Sequence, residues 1–310
     1  MDNKVFRYIP WLLILCLVCA CGGGPRKTPE TPDAARDGAR EIQAGNLFYR
    51  KGCYRQAATH FYRAHIAFTA ADHLPGIVVS LNSLGNVYQA NGDLDNAIAF
   101  FDEALSISND LGDRQSALQT LSNKAAAYIG ADRLEPAEAL IEAGETLAAK
   151  PFLPLQINRG ILLVKKGDYP PAQTVLEKAL TSVDGDDRSS RAKIHFALGR
   201  LMGARGDTDG AIEHFRQALD NDRAIGFYKG MAQDHTWIGD VYRQQDSHKK
   251  ALSHYKRAVQ IYALVNDAPH VGEVMEKLEA AAAATGTDIR ITTHFVKTWL
   301  EDKSLKRPCR

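Results

Sequence analysis

The residues of this 310-residue chain best suited to chemistry are five cysteines, ten histidines and a dense, balanced set of charges. Their spacing builds no recognisable reactive centre. Cys16 and Cys19 sit inside an apolar N-terminal run, and the remaining Cys21, Cys53 and Cys309 form neither a CxxC pair nor a Cys/His spacing of the zinc type. His60 and His65 are five residues apart, which puts them on different sides of a helix. No GxSxG, HExxH or glycine-rich phosphate loop occurs. Carboxylates are plentiful, but they fall in turns such as Gly92-Asp93 and Gly206-Asp207 or on polar helix faces. No catalytic residue, metal ligand or cofactor is therefore assigned, and an enzyme with an unrecognised site is the remotest of the functional alternatives. Lys plus Arg number 38 and Asp plus Glu 37, and setting aside Lys4, Arg7 and Asp2 leaves the body neutral. Nucleic-acid binding draws on basic patches that release counterions, so a neutral body argues against it.

What remains is chemistry of attachment and of binding. Lys4 and Arg7 precede an apolar stretch of about 12 residues from Ile9, which Gly22, Gly23 and Gly24 then close. Charge, a short apolar core and small residues make a secretory signal. A bilayer-spanning helix needs roughly 17–25 apolar residues, so a retained span is the weaker reading. Leu17-Val18-Cys19-Ala20-Cys21 resembles the bacterial lipoprotein signal, with Cys19 an unusual residue inside the motif. The resemblance implies cleavage after residue 20 and lipidation of Cys21; a plain secretory signal with an accidental thiol is the alternative. Several acyl chains hold a protein stably at a membrane where one does not. Gly22 follows the cysteine, where the enterobacterial family retains proteins in the inner membrane with aspartate, so the resemblance favours the outer membrane, facing the periplasm. Residues 21–37 then read as the anchor and a flexible tether rich in Gly, Pro and charge.

The elements that would carry a binding surface come from an internal repeat. From Gly85 the chain meets Ala97 twelve residues on, Phe101 four later and Ala104 three later. The same ruler finds Ala57, Phe61 and Ala64 from Gly45, and Ala172, Leu176 and Ala179 from Gly160. It finds Ala211, Phe215 and Ala218 from Gly199, then Ala251, Tyr255 and Ala258 from Gly239. Ala125 stands for the glycine in one more copy, with Ala137, Ile141 and Gly144 behind it. Six copies with an alanine at the same step predict six pairs of antiparallel helices, stacked because no pair buries its apolar face alone. Small residues let the two backbones of a pair approach, and the aromatic is expected to fill the gap against the next pair.

This pattern resembles the tetratricopeptide repeat over about residues 38–270. The resemblance implies an all-α, right-handed superhelical solenoid of antiparallel helix pairs. The family's closing proline and early tryptophan are missing from every copy, and the spacing is nearer 40 residues than 34. That is similar to the longer-repeat branch of the family. Residues 271–310 are expected to form a capping helix or a degenerate seventh unit, with Phe295, Val296, Trp299 and Leu300 as its apolar face. Cys53 and Cys309 would then lie at opposite ends of the solenoid, arguing against a disulfide between them.

In such solenoids, the resemblance implies, first helices line a concave groove that holds peptides or proteins. Asn82 and Asn86 share a face, Asn46 is the counterpart of Asn86, and Asn123 and Asn158 stand one place round. An amide donates and accepts, so these could grip an extended backbone; solvated polar residues are the plainer reading. Ile129, Ile157, Ile161, Val164 and Phe196 would make an apolar patch mid-groove. A rotated helix that buries the isoleucines and exposes Arg159 fits the sequence equally well. Arg200, Asp240 and Arg243 charge the groove further along. The leading expectation is a lipid-anchored envelope adaptor that holds a protein or peptide partner while a pilus, secretion or cell-wall machine is assembled. A regulator or sensor for a signalling peptide or small ligand is the alternative.

Overall fold

The computed structural model describes residues 33–301 and Cys309, so the signal and Cys21 lie outside the described residues. Every regular element among them is an α-helix. The first pairs are α1 (Asp33–Arg50) with α2 (Tyr54–Ala70), α3 (Leu74–Ala90) with α4 (Leu94–Asp110), and α5 (Arg114–Gly130) with α6 (Leu134–Leu147). Then come α7 (Leu153–Lys166) with α8 (Tyr169–Thr181), α9 (Arg188–Ala204) with α10 (Thr208–Ile225), and α11 (Tyr228–Gln244) with α12 (His248–Leu264). α13 (Ala268–Thr285) and α14 (Arg290–Glu301) complete the set. α1 starts five residues inside the stretch read as tether. Its Asp33–Arg36 and Asp37–Arg40 ion pairs are spaced for a helix, and Ala35 and Gly38 are buried against Phe68.

The turns explain why helices stop on schedule. Gly92, Gly112 and Gly206 take positive φ, and Asp72, Asp132, Asp246 and Asn266 do so where glycine is absent. At the first of these, Asp93 N–H donates to the Tyr88 carbonyl and Gly92 N–H to that of Gln89, closing α3. Asp93 then caps α4, its carboxylate accepting from Asn96 N–H, and Asp113, Asp187 and Asp207 cap α5, α9 and α10 in the same way.

Inside each pair the ruler acquires a geometry. The six twelve-step alanines are wholly buried. The aromatic reaches the next pair, as the sequence suggested, Phe61 packing with Leu84 and Val87 and Phe101 with Ala127, and its ring also lies on the glycine of its own pair. A Cβ on Gly85 would come within 2.5 Å of Phe101, one on Gly199 within 2.8 Å of Phe215, and one on Gly239 within 2.6 Å of Tyr255. Where Ala125 replaces the glycine, the facing residue has shrunk to Ile141.

Successive first helices touch one another directly from α1 to α9, whereas consecutive second helices among α2–α12 make no comparable contact. First helices therefore form the inner layer of a curved stack and second helices the outer one. The inner contacts thin out between α9 and α11, which leaves a cleft there. α13 stacks on α12, and α14 packs on α12 as well rather than pairing with α13. Val296 is buried and Trp299 and Leu300 half-buried in that contact, but Phe295 faces outward.

The curvature brings the stack back onto itself. Gly52, in the first turn, lies against Val265 at the end of α12. Lys229 of α11 donates to the Ala90 carbonyl, pairs with Asp267 at 3.3 Å, and stands 5.5 Å above the Tyr54 ring. Cys53 and Cys309 form a disulfide across this seam, with Cα atoms 4.9 Å apart. That overturns the expectation of two distant thiols, because linear order along the solenoid ceases to measure distance once the superhelix closes.

Candidate functional site

The inner layer holds the residues proposed to bind, and it divides them into two groups. Asn82 is buried, and its amide is spent inside the chain. Nδ2 donates to Thr120 Oγ1 at 2.8 Å and Oδ1 accepts from Asn123 Nδ2 at 3.0 Å. Asn158 is buried too and donates to Ser122, to its carbonyl at 2.8 Å and its hydroxyl at 3.0 Å. These asparagines do form a ladder, but it runs between neighbouring inner helices and stitches α3, α5 and α7 together. The picture of free amides waiting for a peptide is corrected at Asn82, Asn123 and Asn158. A first helix that leans on its neighbour buries the residue one place round from the open face. Asn86 is half-buried, and Asn46 is exposed on α1.

The apolar patch is likewise corrected. Ile129, Ile157 and Val164 are buried, Ile129 among Ile141 and Leu162, the other two among Leu176, Ile194 and Leu198. Ile161 is half-buried between those clusters. The helix is rotated, as the alternative reading allowed, yet Arg159 is not cast into solvent. Its guanidinium bonds to Glu145 at 2.6 Å and lies 3.8 Å from Glu138, both on α6.

The open part of the inner layer is the cleft between α9 and α11. Phe196 meets Trp237 edge-on with ring centroids 6.1 Å apart, and Arg200 lies 5.3 Å above the same indole. Trp237 also stacks on the buried Phe215 at 5.8 Å, which fixes its plane. A cavity of about 470 Å³ opens beside Arg200 and Trp237, with Asp132, Lys165, Tyr169 and Gln244 around it. That volume falls within the range of pockets that hold small ligands or a few side chains. Asp240, at its edge, accepts from Tyr255 Oη at 2.7 Å and from Lys277 at 3.0 Å, so its charge is already matched. Arg243 is exposed on α11 beyond the cavity. Trp237 was missed in the sequence because nothing in the repeat marks where the inner layer splays. Asp222 and Asp234 were missed as well, although each is a carboxylate at a ruler position where other units carry Phe68 or Ser108, and Ile194 or Leu155.

An all-α stack of helix pairs with an aromatic and cationic inner cleft defines a protein-binding repeat scaffold. The tetratricopeptide repeat profiles match residues 76–150, 153–224 and 196–265, and the chain belongs to that family. The family is one of non-enzymatic protein-interaction scaffolds. Among solved structures, it resembles the Rap conjugation gene regulator of the plasmid pLS20, solved with the Phr* peptide. Identity is 13%, over 93% of this chain and 84% of that one, with a TM-score of 0.57. It also resembles a signal-transduction ATPase with a tetratricopeptide repeat sensor from Pyrococcus horikoshii. There identity is 17% and the TM-score 0.53, over 87% of this chain and 43% of that one. At these identities the likeness is one of fold. No curated protein matches the sequence.

Proposed function

We propose that the chain is a lipid-anchored adaptor of the bacterial envelope that holds a partner protein or peptide in the cleft between α9 and α11. The observation that carries the binding site is the Phe196–Trp237–Arg200 stack, beside a cavity that opens where the contacts between successive first helices lapse. Fixed aromatics and arginines supply most of the energy at protein interfaces. The envelope assignment rests on the signal-like N-terminus with Cys21 at its end, and it favours the outer membrane, facing the periplasm. The Cys53–Cys309 bond supports export, since disulfides persist in oxidising compartments. On this reading the partner belongs to a pilus, secretion or cell-wall assembly.

A photo-crosslinking residue at Trp237 in the full chain, in native membranes, tests the site. It should capture a discrete envelope protein that the same residue at Arg257, on the outer layer, does not. Equal capture at both positions sinks the cleft as the binding site. Cys21→Ser should abolish lipid labelling and release the chain from membranes, and retention without label would refute the anchor. A second reading, a receptor for a short signalling peptide, draws on the enclosed size of the cavity and on the fold shared with a peptide-bound regulator. Capture of a peptide below about ten residues, with no stable partner protein, would favour it.

A further inference from the structure

At the other end of the same cleft two carboxylates are buried together without a cation. Asp234, on α11, is 1% exposed, and neither of its oxygens has a hydrogen-bond partner. Asp222, at the end of α10, is 6% exposed. Its Oδ2 rests on the Cα of Gly230, one helical turn before Asp234, where any Cβ would overlap it. In register four pairs earlier, Gly76 makes the same room for the ring of Phe68. A socket used elsewhere for an aromatic thus holds a carboxylate here, and a core position held elsewhere by Ile194 or Leu155 holds a second.

Unpaired buried charge is expensive, and a structural role would have supplied a partner. Neither carboxylate forms an ion pair with any described residue. Lys193 on α9 stands at the mouth, where it lines the cavity without pairing to either. The space between them is about 80 Å³, walled by Phe196, Phe227 and Ala192 with Ser189 and Gln233 at the rim. A water occupies about 30 Å³, so the space admits a small head group and excludes a whole ligand of ordinary size. Two oxygen donors without a third acidic or imidazole group fall short of what a hard divalent ion needs. Rings on two sides suit an alkyl stem and the face of a cation.

We propose that the Asp222–Asp234 socket takes the guanidinium or ammonium head of a basic side chain presented by the partner bound in the cleft. Phe196 is shared between the socket and the Trp237 stack, so a chain lying along α9 and α11 would set one basic residue into the carboxylates. The resting state of the pair fits an empty cation site. Burial pushes Asp222 up to about 7, with Lys193 pulling the other way. Burial, and then the charge on Asp222, hold Asp234 well above the usual carboxylate range. An incoming cation would let both ionise. The inference rests on the cleft as the binding face, and it deepens that reading by naming the chemistry of one anchor.

The probes are N-acetyl-arginine amide and N-acetyl-lysine amide, with the neutral N-acetyl-citrulline amide as control, titrated into the full chain. The Gly230 amide resonance should shift saturably with one or both cations and stay still with citrulline. Asp222→Asn and Asp234→Asn should each weaken that response at least tenfold. No saturable shift, an equal shift with citrulline, or a response unchanged in both variants overturns the proposal, as does saturation by Mg²⁺ or Ca²⁺ alone. The wild-type titration against citrulline decides the matter even if a variant folds poorly. Crosslinking from position 237 keeps the two readings apart. Cation binding with no partner captured sinks the cleft and with it the cation's link to a partner, whereas capture with no cation response sinks only the socket.

Discussion

Gly85 and Phe101 fit each other as socket and ball: the ring occupies the space in which a side chain at 85 would begin, 2.5 Å from where its Cβ would stand. The pairing recurs along the chain, and Ala125 with Ile141 is the same contact with a methyl group on one side and a smaller side chain on the other. Gly85→Ala is therefore expected to destabilise by about 1–3 kcal/mol through overpacking, net of a helix-propensity gain near 1 kcal/mol. Adding Phe101→Ile to it should recover most of the loss, since the pair then copies a native one. Chemical denaturation of the two single variants and the double gives the coupling, and additive losses would contradict the fit.

The Cys53–Cys309 bond joins residues 256 apart across the seam of the superhelix. Cross-linking so long a loop restricts the unfolded chain strongly, and removing a native disulfide costs about 2–5 kcal/mol. Cys53→Ser should lower the melting temperature by a clear margin, and reductant should lower that of the wild type but not of the variant. Peptide mapping without reductant should find the linked fragments, and a free Cys309 thiol in protein purified without reductant would refute the pairing.

The repeat is legible because every unit solves the same packing problem with the same small residues, so the spacing alone marks Ala57, Ala97 and Ala211 as core. The closure is not. Curvature is the sum of small rotations between units, and no spacing in the sequence states that Lys229 will reach Ala90. The chemistry of asparagine suits a binding residue, but a rotation of about one residue decides whether Asn82 faces the groove or Thr120. The signal hidden in plain view was at Asp222 and Asp234. A carboxylate at a core position of an otherwise regular repeat breaks the local rule, and such breaks concentrate where a protein binds something.

Two histidine pairs sit inside consecutive helix pairs, His195 with His214 and His235 with His254, their Nδ1 atoms 3.0 and 3.1 Å apart. Burial, and then the neighbouring His214, hold His195 down at about 4. Burial first, then His254, brings His235 to about 3, and burial with Arg257 and Arg216 brings His254 to about 4. A histidine with a lowered folded value is neutral in the fold and protonates more readily once unfolded. Its contribution is complete above about 6.5 and is lost as the pH falls from there towards 4. Urea midpoints should drop over that window, and His235→Gln should flatten the acid limb. A wild-type midpoint unchanged between pH 7 and pH 4.5 would count against buried neutral pairs.

Asp234 acts with the opposite sign in the same window. Its folded value lies well above 3.8, so the fold keeps a proton that the unfolded chain releases. The stability it supplies is complete below 3.8 and declines as the pH rises, by up to about 1.4 kcal/mol per pH unit until the folded group itself ionises. Asp222 on α10 acts on it and Tyr262 on α12 feels it, while Lys193 on α9 lines the same cavity and acts on Asp222, and His235 is beside it on α11. Asp234→Asn keeps the shape and removes the titration. Compared at each pH, so that the histidines cancel, the variant should gain on the wild type steadily from pH 4 to pH 8. Saturating N-acetyl-arginine amide should shrink that gap at pH 8 by stabilising only the wild type. A constant difference across the range would mean that Asp234 titrates alike folded and unfolded, and that the socket carries no buried charge for a cation to meet.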